Sequence, residues 1–274
     1  MIAFAHQGGS YEGPSSTLAA IAHALDVGCS AIELDVHATS DRRIVVCHDS
    51  TVERTTAHRG AIAGLSLDEL RQMDNAFWWS PGETVSPGLS PAHYPYRGLA
   101  PRDLRFSIVT LEEVARTFPG VLLNLDIKQT DPEVEPYEEL LARELRRLER
   151  TDSVIVASFH DRAIVRFRQL APEVATSAAT GEVSAFFYSL DGHPVVPPAQ
   201  VLQVPARFAD IEVVSERFVD VAHEMGVAVH VWTVNELDEM RRLLDLGVDG
   251  LISDTPTQLS ELLTQRGCGW DGAL

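Results

Sequence analysis

The chain has 274 residues, 45% of them hydrophobic and 23% charged, a composition that excludes disorder and low-complexity structure. Its 22 basic and 40 acidic residues leave a net charge of −18, which argues against broad binding to nucleic acid or to an anionic membrane. A small phosphate ester is not excluded, because one lysine and a metal ion can reverse the sign inside a pocket.

In chain order, Ile2–His6 reads as a first strand and Thr17–Val27 as a helix with apolar residues at helical spacing. Ala31–Val36 is a second strand, and Ile44–His48 a strand-like extension. From about Ala57 to Phe106 the chain is rich in proline, glycine and aromatic residues and shows little periodicity, which marks an inserted, lid-like or binding segment. A helix opens at the capping box Thr110-Leu-Glu-Glu113 and leads into a third barrel strand, Val121–Ile127. A charged-face helix over Tyr137–Arg150 and a strand at Val154–Phe159 follow. Further strands are predicted at Val174–Ser177, Val201–Val204, Ile211–Val214, Ala228–Thr233 and Gly250–Ser253, with Val213 open to a loop reading. Eight or nine strands in a βαβα rhythm favour a closed parallel barrel over an open doubly wound sheet, and the length is normal for one such α/β domain.

The three cysteines, Cys29, Cys47 and Cys268, are odd in number and lack metal-ligand spacing, so a reducing compartment is expected rather than a disulfide framework. Met1–His6 carries no charged leader, and no apolar run approaches about 18 residues. The expectation is a cytoplasmic protein without stable membrane insertion; its oligomeric state is not legible.

Glu33 and Asp35 lie at i and i+2 on a strand, so both carboxylates project from one face, at the C-terminal end where barrel enzymes place their sites. Taken alone, they read equally well as surface carboxylates. On a buried face they would repel each other, and a hard divalent cation with oxygen ligands resolves that conflict. His6 also closes a strand, with Gly8-Gly9 after it to permit tight turning near a ligand, and His48-Asp49 close the extension. Two histidines at strand ends beside a carboxylate pair suit acid and base roles. Asp126 and Lys128 share a face at the end of the third strand, giving a third oxygen ligand and a cation for a phosphate. Trp232 and Phe159 stand near strand ends and can pack against the organic part of a ligand, with a core position equally open for Phe159. The remaining histidines are read as surface or structural.

The runs Ala5-His6-Gln7-Gly8-Gly9, Thr17-Leu-Ala-Ala20, Ile32-Glu33-Leu34-Asp35-Val36, His48-Asp49 and Val52-Glu53-Arg54-Thr55-Thr56 resemble the glycerophosphodiester phosphodiesterase family. The resemblance continues through Leu123-Asn-Leu-Asp-Ile-Lys128, Ser158-Phe159, Val231-Trp-Thr-Val-Asn235 and Gly247-Val-Asp-Gly-Leu-Ile-Ser-Asp254, in order over nearly the whole chain. It implies a single (β/α)8 TIM barrel over residues 1–274, with a small insertion after the second strand at about 57–106. It also implies metal-dependent hydrolysis of a glycerophosphodiester to an alcohol and glycerol 3-phosphate. By the same resemblance His6 and His48 are the catalytic pair, and Glu33, Asp35 and Asp126 hold one Mg2+ or Ca2+ ion, with Mn2+ an alternative. Lys128, Gln7 and Trp232 are then the substrate contacts.

The chain departs from the family pattern in three places. Asp126 stands where the family usually has Glu, a shorter arm that a Ca2+ or Mg2+ site can absorb through a water. Gln7 replaces an Arg, and Pro14-Ser15-Ser16-Thr17 replaces Pro-Glu-Asn-Thr. The two losses balance in charge, as if one ion pair had become a pair of neutral polar groups, and they bear on substrate grip rather than on the metal and acid–base set. Two alternatives stay open at this point: a phospholipase resembling sphingomyelinase D, and a barrel that binds a phosphorylated ligand without turnover.

Overall fold

A computed structural model of the protein describes residues 1–128 and 137–268. The aliphatic runs become strands and the amphipathic stretches between them helices. In chain order these are β1 (Ile2–His6), α1 (Leu18–Asp26), β2 (Ala31–Ala38), β3 (Ile44–Val46), α2 (Leu67–Leu70), α3 (Leu111–Thr117), β4 (Leu122–Ile127), α4 (Tyr137–Arg147), β5 (Val154–Ala157), α5 (Asp161–Leu170), β6 (Ala175–Thr176), α6 (Thr180–Ser189), β7 (Val201–Pro205), β8 (Arg207–Phe208), β9 (Ile211–Glu212), α7 (Glu216–Glu224), β10 (Ala228–Trp232), α8 (Leu237–Asp245), β11 (Gly250–Ser253) and α9 (Pro256–Gln265). Thr110 and Glu113 form the expected reciprocal cap of α3.

Eight strands run parallel in the order β6-β5-β4-β2-β1-β11-β10-β7. A parallel bridge between Ser177 and Val201, with Ala178 N donating to Val201 O at 2.8 Å, brings the two ends of that sheet together. The architecture is the (β/α)8 barrel. The expected barrel strand at Ile211–Val214 is instead β9 of a small antiparallel hairpin with β8, and Val213 and Val214 are buried loop residues. An alternating apolar stretch of four residues does not disclose which strand it pairs with.

Side chains of β2 and β4 alternate between two cores. Ile32, Leu34 and Val36 with Leu123, Leu125 and Ile127 face the surrounding helices. Ile2, Phe4, Ala31, Leu122, Ile155, Val201 and Ile252 fill the barrel interior. Gly250 belongs to this interior packing: a Cβ there would lie 2.7 Å from the His230 ring and 3.0 Å from Phe4. Towards the C-terminal ends of the strands the inward positions turn polar, and there the site begins.

The segment 57–106 packs largely on itself and on the outside of β3. Ile62, Leu67, Leu70 and Met73 join Val45, Cys47, Val52 and Ile108 in a separate cluster. Trp79 and Tyr96 stack at 5.2 Å, and Tyr96 on Phe106 at 4.8 Å. The Arg97 guanidinium lies over the rings of Phe77, Trp78 and Tyr94. Among the described residues no helix is long and apolar enough to cross a membrane.

Candidate active site

Strand register places the predicted site residues side by side. His6 on β1 is the parallel partner of Glu33 on β2, and Asp35 two residues further on is the partner of Asp126 on β4. All four side chains therefore leave the strands at the C-terminal mouth of the barrel and line one cavity of about 540 Å3. His48 reaches the same cavity by another route. The antiparallel β3 folds back along β2 with Val46 opposite Val36, and Cys47 N donates to Asp35 O at 3.0 Å, which delivers the next residue to the mouth. The His37 ring Nε2 donates to the His48 carbonyl at 3.2 Å and pins that turn.

Each histidine is held by a carboxylate. His6 Nδ1 lies 2.7 Å from Asp254 Oδ1, and His48 Nδ1 lies 2.6 Å from Asp49 Oδ1. Asp254 also accepts from the Ser10 hydroxyl and, at 2.8 Å, from Asn235 Nδ2. Burial opposes charging of His6, but the hydrogen bond to Asp254 and the fields of Glu33, Asp254 and Asp35 prevail and raise its pKa to about 9. The hydrogen bond from His48 and the nearby Arg54, whose Nε is 3.0 Å from Asp49 Oδ1, hold the Asp49 carboxyl below its usual range despite partial burial.

The three carboxylates of the floor sit in an unfavourable environment. Burial and the charge of Asp35 push the Glu33 carboxyl upward, against the field of His6 and the 3.1 Å hydrogen bond from Gln7 N. Burial likewise raises Asp126, against the pull of Lys128. The Lys128 ammonium bridges the register pair, 3.1 Å from Asp35 Oδ1 and 2.9 Å from Asp126 Oδ2. Among the described residues no three metal-binding side chains are drawn closely enough together to hold an ion. The donor chemistry nevertheless suits one: Asp35 Oδ2 and Asp126 Oδ1 are buried without a hydrogen-bond partner, two hard oxygens on adjacent strands.

Trp232 lines the cavity, with Phe159 edge-on at 5.3 Å, and Lys128 Nζ is 5.2 Å from the Phe159 ring. Phe159 is more than half exposed, so the alternative of a core position does not hold. Gln7 is placed differently from the expected substrate contact. It is buried outside the cavity lining, with its Nε2 3.4 Å from His6 Nε2 and its Oε1 accepting from Ser15 Oγ at 2.5 Å. Gly8-Gly9 also serve the fold rather than a ligand: a Cβ on Gly9 would lie 2.5 Å from Pro256, so the turn after β1 closes directly on α9. Nor do the expected lid residues enter the cavity. Trp78 Nε1 donates to Thr56 O and Trp79 Nε1 to Ser10 O, and no residue of 57–106 is in the lining.

Sequence reasoning passed over several residues that the fold brings in. Asp254 directly follows β11, the same strand-end position that singled out His6, and that rule would have found it. Asn124 and Gln203, joined by a 2.9 Å hydrogen bond, line the floor, while Val183, Phe187 and Tyr188 of α6 with Phe208 and Ile211 of the β8–β9 hairpin form an apolar wall.

Comparison with known proteins gives the chain a family and a fold. The profile of the glycerophosphoryl diester phosphodiesterase family matches residues 6–258. A probable glycerophosphodiester phosphodiesterase 2 of Mycobacterium tuberculosis is 30% identical, over 99% of this chain and 94% of its own length. Among solved structures, the glycerophosphoryl diester phosphodiesterase domain of a second M. tuberculosis protein superposes with a TM-score of 0.80 at 20% identity, covering 95% of this chain and 98% of that one. A phosphodiesterase of Oleispira antarctica, solved with the product sn-glycerol-3-phosphate, superposes with a TM-score of 0.73 at 24% identity, over 96% and 97% of the two chains.

Proposed function

The chain belongs to the glycerophosphoryl diester phosphodiesterase family and is a phosphoric diester hydrolase, and on that premise we propose that it cleaves a glycerophosphodiester to an alcohol and glycerol 3-phosphate, with His6 and His48 moving the protons and one divalent cation held by Glu33, Asp35 and Asp126. The observation that carries this reading is the register pairing of His6 with Glu33 and of Asp35 with Asp126, which gathers an imidazole and three carboxylates at one barrel mouth.

When bound, the cation neutralises charge on the phosphoryl oxygens; Mg2+, Ca2+ and Mn2+ all accept such oxygen ligands. The protein's own groups do the rest. Asp254 and Asp49 each take the Nδ1 side of a histidine, which leaves Nε2 of both rings to exchange protons with reacting oxygens. One ring removes a proton from the attacking oxygen, a water or the substrate's neighbouring hydroxyl, and the other protonates the leaving alkoxide. Attack by the hydroxyl would give a cyclic phosphate first. Lys128 turns from Asp35 and Asp126 to the phosphate, and Trp232 packs on the organic group.

The test is an assay of the purified protein on a panel of water-soluble glycerophosphodiesters with Mg2+, Mn2+, Ca2+ or chelator. Metal-dependent release of glycerol 3-phosphate is expected. Binding of the diesters without turnover under every metal would overturn the reading.

A further inference from the structure

Beneath the catalytic carboxylates the barrel lumen holds a second polar layer that the mechanism leaves idle. Asn124 stands level with Glu33 in the register and two residues before Asp126, roughly 6–7 Å further down the strand than the Asp35–Asp126 pair. Gln203 on β7 and His230 on β10 are register partners. Strands β4 and β7 are not neighbours in the sheet, yet Gln203 Nε2 donates across the lumen to Asn124 Oδ1 at 2.9 Å and lies 3.4 Å from His230 Nδ1. His230 is 2% exposed, and burial lowers its pKa to about 4, so the ring is neutral and its Nδ1 can accept. These contacts fix which way both amides point. The two N–H groups of Gln203 are engaged, which leaves its Oε1 to accept, and Asn124 Oδ1 is engaged, which leaves its Nδ2 to donate. Both residues line the catalytic cavity.

A neutral acceptor beside a neutral donor matches a hydroxyl, which gives one proton and takes another. A carboxylate or phosphate has no proton for Gln203, and an ammonium has no lone pair for Asn124. We propose that Asn124 and Gln203 recognise the terminal hydroxyl of the substrate's glycerol arm, Gln203 Oε1 accepting its proton and Asn124 Nδ2 donating to its oxygen. The inference rests on the phosphodiesterase reading and adds two specificity-determining residues to it. The hydroxyl next to the phosphate ester stays beside the histidines and carboxylates, whereas the terminal one lies a carbon further on, toward the deeper layer. A diester without that hydroxyl leaves two desolvated amide groups unpaired, which is a strong basis for rejecting it. His230 acts through Gln203 and is a positioning residue.

The experiment compares glycerophosphocholine with the analogue whose terminal hydroxymethyl group is a methyl. That analogue keeps the headgroup, the charge and the hydroxyl next to the phosphate ester. With Mg2+, Mn2+ or Ca2+ supplied, wild-type kcat/KM is expected to be roughly 10- to 100-fold higher for glycerophosphocholine. Gln203→Met, which keeps the length of the side chain, and Asn124→Leu should each bring that ratio close to one, chiefly through lost activity on glycerophosphocholine. One preparation turns over both diesters, so the ratio does not move with the folded fraction, the only change that a purely structural role of the amides would produce. His230→Leu, which frees one Gln203 N–H, should lower the ratio in part. A wild-type ratio near one overturns the inference, as does a ratio that survives in both amide variants, and either result leaves the phosphodiesterase reading in place. If neither diester is turned over with any of the metals, that reading falls, and the calorimetric affinities of the two diesters then decide on the amide pair by the same ratio.

Discussion

Asp254 Oδ1 lies 2.7 Å from His6 Nδ1 and so ties the residue that ends the first strand of the barrel to the residue that follows the last. The pair straddles the β1–β11 seam, where Ala5 is the register partner of Ser253. The imidazole thus gets its orientation from the closure of the barrel itself. Asp254→Asn keeps the shape of the side chain and removes its charge. A carboxylate that holds the Nδ1–H of a catalytic imidazole can contribute as much as about 10⁴-fold to kcat. A loss of kcat of that order is expected while the fold, read by circular dichroism, persists; wild-type kcat would show that Asp254 does not position His6.

The same pair sets a pH dependence of stability. His6 titrates near 6.5 when unfolded and about 9 when folded, so its contribution is complete below about 6.5 and is lost as pH rises through about 9. Glu33 acts in the same direction. Its carboxyl keeps its proton to higher pH in the folded chain than in the unfolded one, so folding also weakens as pH rises above the ordinary carboxylate range. Chelated protein should therefore lose Tm between pH 6.5 and 9. In Asp254→Asn the slope in that window should be shallower, which thermal melts at fixed ionic strength measure directly.

Replacing either His6 or His48 by Ala should cost roughly 10²- to 10⁴-fold in turnover, the usual share of general acid–base catalysis. The metal affinity, followed by calorimetry, should be kept. Wild-type turnover in both variants would remove the two-histidine mechanism.

Lys128 offers a test of the carboxylate floor that does not depend on activity. It is the cation that bridges Asp35 and Asp126, and its side chain is only 23% exposed. Lys128→Met leaves two buried, adjacent carboxylates without their partner, which should cost on the order of 3 kcal/mol in chelator. If these oxygens form the cation site, Mg2+, Ca2+ or Mn2+ should restore much of that stability, and more so than in the wild type. Glu33→Ala and Asp126→Ala should weaken both metal binding and turnover. A Lys128→Met variant indifferent to divalent cations would place the metal elsewhere.

Much of the site was legible because a closed parallel sheet turns strand position into spatial position. His6 and Asp126 stand at or next to strand ends, and although β2 runs on to Ala38, past the expected end at Val36, the register sets Glu33 and Asp35 beside them on one face. What stayed hidden depends on partners that a local pattern does not reveal. The aromatic composition of 57–106 suggested a lid, yet Trp79 is spent on Ser10 O and Tyr96, and Trp78 on Thr56 O and the Arg97 cluster. The apolar wall was missed for the converse reason. Phe187 and Tyr188 sit on a helix, where such residues ordinarily face the core, and Phe208 and Ile211 belong to a hairpin too short to leave a period.

The charge-balanced departure at Gln7 and Ser15 has a physical counterpart. The Ser15 hydroxyl donates to Gln7 Oε1 at 2.5 Å, a neutral bond where the family resemblance places an Arg and a Glu, and both residues are buried. The Gln7 amide nitrogen faces His6 Nε2 at 3.4 Å, so this pair borders the histidine from outside the cavity lining. Gln7→Arg alone buries a guanidinium beside an imidazole whose pKa is raised to about 9, and Ser15→Glu alone buries an unpartnered carboxylate near Glu33's hydrogen-bonding turn. Each single variant should be destabilised and impaired. The double variant should recover, with a coupling on the order of 1–3 kcal/mol in a stability cycle, since the two new charges meet only when both are present. Measured as kcat/KM on glycerophosphocholine, the double variant should recover towards the wild type, because the paired charges relieve the disturbance that each single variant brings next to His6. Additive losses in both stability and kcat/KM would mean that Gln7 and Ser15 do not substitute for one ion pair, and that the neutral pair is tuned to this chain's own substrate.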